Sequence, residues 1–211
     1  GSDSSTATCN AGSWTYTTAN QTTDATRTYT FTQTDQAGNA ATISATWERN
    51  TAVPNLLITS TSPLYNGNDT AHVAGNCETG LNIEIKLSGA LESTIACAGG
   101  TFAYDVSSQT SDASRTYEFK QTNALSLSTV QYFTWVRDTT PPNFTASSFN
   151  INGGAATTSK AQVSISLQAI DSLSKVTDFC LKVNDSSAPA SDDLCWFSVE
   201  SDAGLTASPT L

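Results

Sequence analysis

The sequence repeats itself at a fixed offset of 88 residues, because Cys9 returns as Cys97 (97 − 9 = 88). A repeat of fixed length indicates a row of similar folding modules, and it constrains the architecture before any local pattern does. The same shift aligns residues 9–54 with residues 97–142 without a gap, and the matched pairs are Trp14–Phe102, Arg27–Arg115, Tyr29–Tyr117, Phe31–Phe119, Gln33–Gln121, Trp47–Trp135, Arg49–Arg137, Thr51–Thr139 and Pro54–Pro142.

The repeat divides the chain into three modules. Residues 54–141 form one complete module, residues 1–53 match only its C-terminal part, and residues 142–211 supply a divergent N-terminal part. We expect the chain to begin and end partway through a module. Two explanations stay open: the chain is a segment of a longer array, or its incomplete ends are completed by strands of another copy.

Alternating apolar and polar residues predict β-strands in the complete module. Residues 81–87 place Ile83 and Ile85 on one face, and residues 115–121 place Tyr117 and Phe119 on one face. About seven short strands with closely spaced turns are typical of an antiparallel β-sandwich. No segment shows sustained helical spacing, so we expect an all-β fold.

The two incomplete modules carry strand patterns of their own. In the first, residues 27–33 and 41–49 flank a hairpin turn at Asp35–Asn39, and the inward side chains are expected to be Tyr29, Phe31, Ile43 and Trp47. In the third, strands are expected at 144–149, 162–169, 179–183 and 195–200, with Val163, Ile165 and Leu167 facing inward.

The charge balance excludes several classes of partner. The chain has 19 Asp and Glu against 9 Lys and Arg, a formal net charge of −10 at pH 7. An acidic surface repels nucleic acid and anionic lipid. The longest apolar runs are a few residues, far short of the ~20 that a membrane-spanning helix needs. We therefore expect neither a nucleic-acid partner nor a membrane span.

The cysteines predict disulfides and an oxidising compartment. Cys77 and Cys97 lie 20 residues apart, and Cys180 and Cys195 lie 15 apart. Local pairs in a Ser- and Thr-rich β-protein favour disulfides over zinc, since there is one histidine and no Cys-x-x-Cys. The partner of Cys9 would stand at position −11 (9 − 20), so we expect Cys9 to be a free or intermolecular thiol.

Three short motifs resemble bacterial Ig-like repeat arrays of secreted surface proteins and adhesins. They are the Asp138-Thr-Thr-Pro-Pro142 linker, the Thr34-Asp-Gln-Ala-Gly-Asn39 hairpin and the closing Thr-Trp-x-Arg strands at Thr46–Arg49 and Thr134–Arg137. The resemblance implies tandem immunoglobulin-like sandwiches, with residues 1–53 supplying F- and G-type strands. It also implies an extracellular stalk or an adhesive fibre segment, without implying a particular ligand.

Candidate sites are few. His72 is the only imidazole and has no triad around it, and the adjacent Asp192 and Asp193 do not make the facing carboxyls of a glycosidase. We therefore expect no enzyme activity and no catalytic residue. Calcium is the one metal considered, with Asp138 at a module junction as a weak candidate, although no calcium-binding loop motif is present. Trp196 does not recur across the repeat, so it either stacks on a ligand sugar or covers the disulfide.

The leading hypothesis is a secreted or cell-surface structural segment, a stalk or an adhesive fibre. Its partners would be neighbouring copies of itself or adjacent modules of a longer chain, and the copies could polymerise head to tail by strand complementation. The alternative is a carbohydrate-binding module of a secreted protein that recognises a surface glycan through Trp196. No cofactor is expected apart from the calcium considered above.

Overall fold

A computed structural model describes residues 11–144 and 149–198 in full and the backbone of residues 205–207. The described part is nearly all-β, with one short 3-10 turn at Asn152–Gly154 and no α-helix. The chain divides into two compact units, Gly1–Val53 and Pro54–Leu211. The break coincides with the start of the complete module, whereas the boundary after residue 141 stays a prediction.

The first unit contains one long β-hairpin. Strands β1 (Ala25–Thr34) and β2 (Ala40–Arg49) pair antiparallel from Ala25 opposite Arg49 to Thr34 opposite Ala40. The predicted turn is present: the Asp35 carboxylate accepts hydrogen bonds from the backbone and side-chain amides of Asn39, both at 2.8 Å. Gly38 adopts φ +87°, which suits glycine because it has no Cβ.

The second unit begins with a two-sheet sandwich of eight strands. They are β3 (Leu57–Ile58), β4 (Leu64–Asn66), β5 (His72–Asn76), β6 (Asn82–Leu87), β7 (Ala90–Ala96), β8 (Thr101–Asp105), β9 (Ala113–Thr122) and β10 (Ser128–Arg137). One sheet has the order β4-β10-β9-β6-β7 and the other β3-β5-β8. All neighbours are antiparallel except β4 and β10. The parallel pair departs from the predicted all-antiparallel sandwich because the chain crosses from β3 to the neighbouring edge of the other sheet and runs there in the direction of β10.

The core lies between these two sheets. Phe102 of β8 packs on Phe119 of β9 with ring centroids 5.7 Å apart, and Tyr104 meets Phe119 edge-on at 6.2 Å. Gly75 allows the close approach of β3, since a Cβ there would collide with the Leu57 carbonyl oxygen and the Phe102 ring. The largest fully buried apolar side chains are Trp135, Tyr117, Phe119, Phe133, Ile83, Ile85, Val73 and Val106.

Residues 143–144, 149–198 and 205–207 form short strands in three small sheets. The strands are β11 (Asn143–Phe144), β12 (Asn150–Ile151), β13 (Ile165–Leu167), β14 (Ala169–Ile170), β15 (Asp178–Cys180), β16 (Trp196–Ser198) and β17 (Leu205–Ala207). β11 pairs with β14, β13 pairs with β12 and β17, and β15 pairs with β16.

The predicted strands of the third module are shorter than expected or lie partly outside the described residues. The strand predicted at 162–169 is split, because the chain changes its pairing partner from β12 to β11 at Gln168. Val163, Ile165 and Leu167 are half-buried rather than buried. The strand predicted at 179–183 ends at Cys180, ahead of Asn184 with φ +57°. Residues 145–148 and 199–200 of the other two lie outside the described part.

Candidate functional site

A set of ion pairs and hydrogen bonds, here called the clasp, closes the end of β10. Arg137 donates from Nη2 to Asp69 Oδ1 at 2.7 Å and from Nη1 to Asp112. Asp112 Oδ2 also accepts the backbone amide and hydroxyl of Thr139, both at 2.9 Å. These hydrogen bonds, first that of the Thr139 amide and then those of the Thr139 and Thr140 hydroxyls, lower the pKa of Asp112 with help from Arg137. The clasp therefore fixes how the chain leaves the sandwich.

The first unit repeats the Asp112 part of the clasp, shifted by 88 residues. Arg49 forms an ion pair with Asp24. The backbone amide and hydroxyl of Thr51 donate to Asp24 Oδ2 at 2.9 and 2.7 Å. These bonds lower the pKa of Asp24, with the Thr51 hydroxyl as the largest cause. The sequence signal was available, because Asp24 and Asp112 also stand 88 residues apart.

The two hairpins share further contacts. The guanidinium of Arg27 lies 5.8 Å from the centre of the Trp47 ring, and that of Arg115 lies 5.9 Å from the centre of the Trp135 ring. Arg27 also donates to the carbonyl of Thr23 at 2.9 Å. Arg115 makes the matching hydrogen bond to the carbonyl of Ser111, 88 positions after Thr23, at 3.0 Å. The strand register, the Asp112 part of the clasp and the cation–π contact are therefore repeated.

The hairpins differ in what covers them. Trp135 is 0 % exposed, whereas Trp47 is 47 % exposed and Ile43 is 71 % exposed. β9 pairs with β6 along its outer edge and β10 pairs with β4. Within the described residues, β1 and β2 pair only with each other. Ile43 and Trp47 lie on the same side of the hairpin as Tyr29 and Phe31, and they are exposed because, within the described residues, no further strand pairs with β1 or β2.

We call this exposed side the hairpin face: Tyr29, Phe31, Ile43, Ala45 and Trp47. Tyr29 and Phe31 are half-buried, in part because the Trp14 ring lies 4.9 Å from the Phe31 ring. The opposite side of the hairpin is a row of hydroxyls, in which Thr30 and Ser44 lie within 3.0 Å of each other. The hairpin thus has one apolar and one polar side, as a strand pair at the edge of a core has.

Gln121 of β9 is a buried polar residue whose side-chain amide is fully used in hydrogen bonds. Its Oε1 accepts the backbone amide of Glu78 at 2.9 Å, and its Nε2 donates to the carbonyls of Glu78 at 3.0 Å and Leu81 at 3.4 Å. This amide therefore ties β9 to the turn that follows Cys77. Gln33 holds the same register position in β1 but is exposed.

Both cysteine pairs favoured by the sequence are bonded. Cys77 and Cys97 form one disulfide, inside the sandwich core, and Cys180 and Cys195 form the other. Cys9 lies outside the described residues, so its state stays a prediction.

Trp196 helps to hold the loop that connects β15 to β16. Its Nε1 donates to the carbonyl of Ala190 at 2.8 Å, and the ring remains 40 % exposed. In the same loop, Lys182 Nζ lies 2.8 Å from an oxygen of Asp193 and 3.5 Å from one of Asp185. Asp193 is therefore held by a lysine, and the hydrogen bond from Lys182 is the largest of the causes that lower its pKa.

The remaining candidates do not form a catalytic or metal centre within residues 11–144 and 149–198. His72 Nδ1 lies 2.7 Å from Asp105 Oδ1 across β5 and β8, and both side chains are exposed. Asp138 Oδ1 accepts the backbone amide of Thr140 at 2.9 Å. The backbone amides of Ser174 and Leu173 donate hydrogen bonds to Asp171 Oδ1 and lower the pKa of that carboxyl, with the bond from Ser174 as the largest cause. In those ranges no three His, Cys, Asp or Glu side chains are grouped as metal ligands.

No protein-family model and no curated protein matches the chain. None of the described residues lies in a helix long and apolar enough to cross a membrane. The resemblance to Ig-like arrays therefore stays a prediction.

Proposed function

We propose that the chain is a structural segment of an extracellular array of Ig-like β-sandwich modules, working as a stalk or fibre. The observation that carries this proposal is the duplication of hairpin and clasp at 88 residues. Each clasp ties the residues that follow the last strand to an aspartate before the hairpin, as Asp112 does with Thr139. A module that fixes the direction of its outgoing chain suits a row of modules that must hold a defined spacing.

The disulfides support a location outside the cytosol. Cys77–Cys97 lies within the core of the sandwich, where a local cross-link lowers the entropy of the unfolded chain. Disulfides persist in oxidising compartments. An extracellular array meets proteases and mechanical load, and both favour cross-linked modules.

The strand order of the sandwich also suits a segment under tension. β4 lies near the N-terminal end of the second module, and β10 is its last strand. Because they are parallel, pulling the two ends of the module apart slides these strands past each other and loads their hydrogen bonds together. Side-chain links reinforce the pair, since Trp135 Nε1 donates to Asn66 Oδ1 at 3.0 Å. The backbone amide of Asp138 adds a bond to the Asn66 carbonyl, also at 3.0 Å.

Single-molecule extension of the full chain tests the load-bearing role. Handles at residues 54 and 138 should give a higher unfolding force than handles at 114 and 138, which peel β9 and β10 apart from their open end. The Asn66→Ala variant should lower the force with the first handle pair, because it leaves the buried indole N–H of Trp135 without its acceptor. The matched control is Thr94→Ala on the far strand β7, which should leave it unchanged. Equal forces for the two handle pairs would contradict the proposal.

A carbohydrate-binding role remains the second candidate, carried by the exposed ring of Trp196 beside the exposed Phe197. Binding of the intact chain on a glycan array, lost in Trp196→Ala and kept in a Phe144→Ala control, would favour this function over the stalk. The stalk proposal expects no glycan signal from either the wild-type chain or the variants.

A further inference from the structure

Two buried polar atoms of β9 have no hydrogen-bond partner among the described residues: Nη1 of Arg115 and the hydroxyl oxygen of Tyr117. The two residues are separated by one position in the strand, so their side chains leave β9 on the same face, with their Cα atoms about 6.6 Å apart. Tyr117 is fully buried in the core and Arg115 is half-buried. A buried polar atom that the chain leaves unpaired commonly marks a bound water molecule or ion.

The first unit shows how the same guanidinium position is satisfied by the chain itself. Arg27 stands 88 positions before Arg115, and its Nη2 donates to the carbonyl and the hydroxyl of Thr23. Its Nη1 donates to the carbonyl of Ala25 at 3.1 Å. Arg115 Nη2 likewise donates to both oxygens of Ser111, but its Nη1 has no acceptor in the part of the chain that the structure describes. The local backbone therefore does not supply the partner of Arg115 Nη1.

Arg115 also has no counter-charge within the described residues. The arginines that close the two clasps, Arg49 and Arg137, form ion pairs with aspartates. Arg115 instead lies over the Trp135 ring, 5.9 Å from its centre. The ring attracts the cation but does not neutralise it. Because a half-buried charge is costly unless it is paired, this guanidinium favours a partner of negative charge.

The charge of Arg115 acts on the Tyr117 hydroxyl. Burial is the largest cause of the raised pKa of Tyr117, the positive charge of Arg115 opposes it, and the negative charge of Glu92 adds to it. The Glu92 side chain lies on β7 and is exposed. The two unpaired groups of β9 therefore share one region of the core, on the same side of the strand.

We infer that a small monovalent anion such as chloride binds between Arg115 Nη1 and the Tyr117 hydroxyl. Both groups present hydrogens, so their common ligand must accept two hydrogen bonds. A water molecule can accept two, but its own hydrogens then need acceptors. An anion needs none and also neutralises the guanidinium. It has to be small, because Tyr117 and Trp135 are fully buried in a packed core. The site goes beyond the stalk proposal and does not depend on it.

Urea denaturation of the full chain at constant ionic strength and pH 7 tests the site. Sodium chloride is replaced stepwise by sodium gluconate, whose anion is too large for the packed core. If chloride binds only the folded chain, each tenfold rise in chloride above its Kd should lower the unfolding equilibrium constant about tenfold.

Two matched variants separate this site from a general salt effect. Tyr117→Phe removes one donor at nearly constant volume and should weaken chloride binding about tenfold or more. In chloride-free buffer, where the hydroxyl has no partner, the same variant should unfold at the wild-type midpoint. Tyr132→Phe makes the same change at an exposed tyrosine of β10 and should keep the whole chloride response.

Charge variants test the role of the guanidinium. Arg115→Gln should abolish the chloride response of the second unit. Arg27→Gln, at the same register position of the first unit, should leave that response unchanged. Glu92→Gln removes a negative charge that acts on the same hydroxyl and should strengthen chloride binding.

Bromide identifies the ligand directly, because its anomalous scattering distinguishes it from water. Crystals of the full chain grown in sodium bromide should show an anomalous peak within hydrogen-bond distance of both Arg115 Nη1 and the Tyr117 hydroxyl. Three results would overturn the inference: a midpoint that does not depend on chloride, an equal chloride response in Tyr117→Phe and the wild type, or a density peak at the site without anomalous signal, which would identify a water molecule.

Discussion

Replacing Gln121 by leucine should destabilise the second unit, while the same change at Gln33 should have almost no effect. Gln121 is 0 % exposed and its amide makes three hydrogen bonds to the turn at Glu78 and Leu81. At about 0.5–1.5 kcal/mol for each bond, their loss costs about 2–4 kcal/mol, which the added burial of leucine offsets only in part. For a unit of this size, about 3 kcal/mol lowers Tm by roughly 10 °C.

Urea denaturation at low protein concentration measures this difference. The fluorescence of Trp135, which is fully buried in the same unit, reports the transition. The midpoint should fall in Gln121→Leu at an unchanged slope, because the variant exposes the same surface on unfolding. Gln33 has the same strand register and is likewise followed by threonine, but it is exposed, so Gln33→Leu should stay within about 0.5 kcal/mol of the wild type. Equal losses in the two variants, or no loss in Gln121→Leu, would refute the argument that the buried amide ties β9 to the turn.

Three further predictions concern the second unit. Burial raises the pKa of Tyr117 to about 12. The folded state therefore favours the protonated hydroxyl. This contribution to the free energy of unfolding is complete below about pH 10 and is lost as the pH rises towards 12. Tyr117→Phe should remove about 2–3 kcal/mol of that alkaline loss in urea titrations, and at pH 7 it should not destabilise the chain, since the hydroxyl has no hydrogen-bond partner among the described residues. The pKa of Asp112 is lowered, first by the amide of Thr139, so its contribution is present above its ordinary pKa and is lost as the pH falls. Asp112→Asn should therefore flatten the acid limb of a circular-dichroism pH titration, and an unchanged limb would contradict the clasp. Removing the Cys77–Cys97 disulfide by paired serine substitutions should cost about 3 kcal/mol in the same denaturation assay, and a smaller change than 1 kcal/mol would show that the cross-link constrains little.

The repeat and the alternation predicted the strands of the first two modules well. β1, β2, β6, β9 and β10 lie where period-two patterns place them, because an alternating strand must put its apolar side chains on one face. The hairpin turn at Asp35–Asn39 followed from its residues in the same way. These are local properties, which a sequence displays directly.

Contacts between distant residues were not predicted. Asp24 and Arg49 lie 25 positions apart, and they meet only because the hairpin folds back on itself with Ala25 opposite Arg49. The split at Gln168 was missed for a similar reason, since a continuous apolar pattern cannot show that two halves of a strand pair with different neighbours. Burial is not a local property either. Alternation identifies the apolar side of β2, but whether another sheet covers Ile43 depends on elements outside the pattern.

Register alone does not make the two hairpins interchangeable. Ala45 stands where Phe133 is fully buried, and Glu48 stands where Val136 is buried. In the sandwich of the second module, Ala45 would leave the space of a benzyl group empty, at a cost of about 3–5 kcal/mol. The second module therefore keeps its own β9–β10 pair against competition from β1–β2.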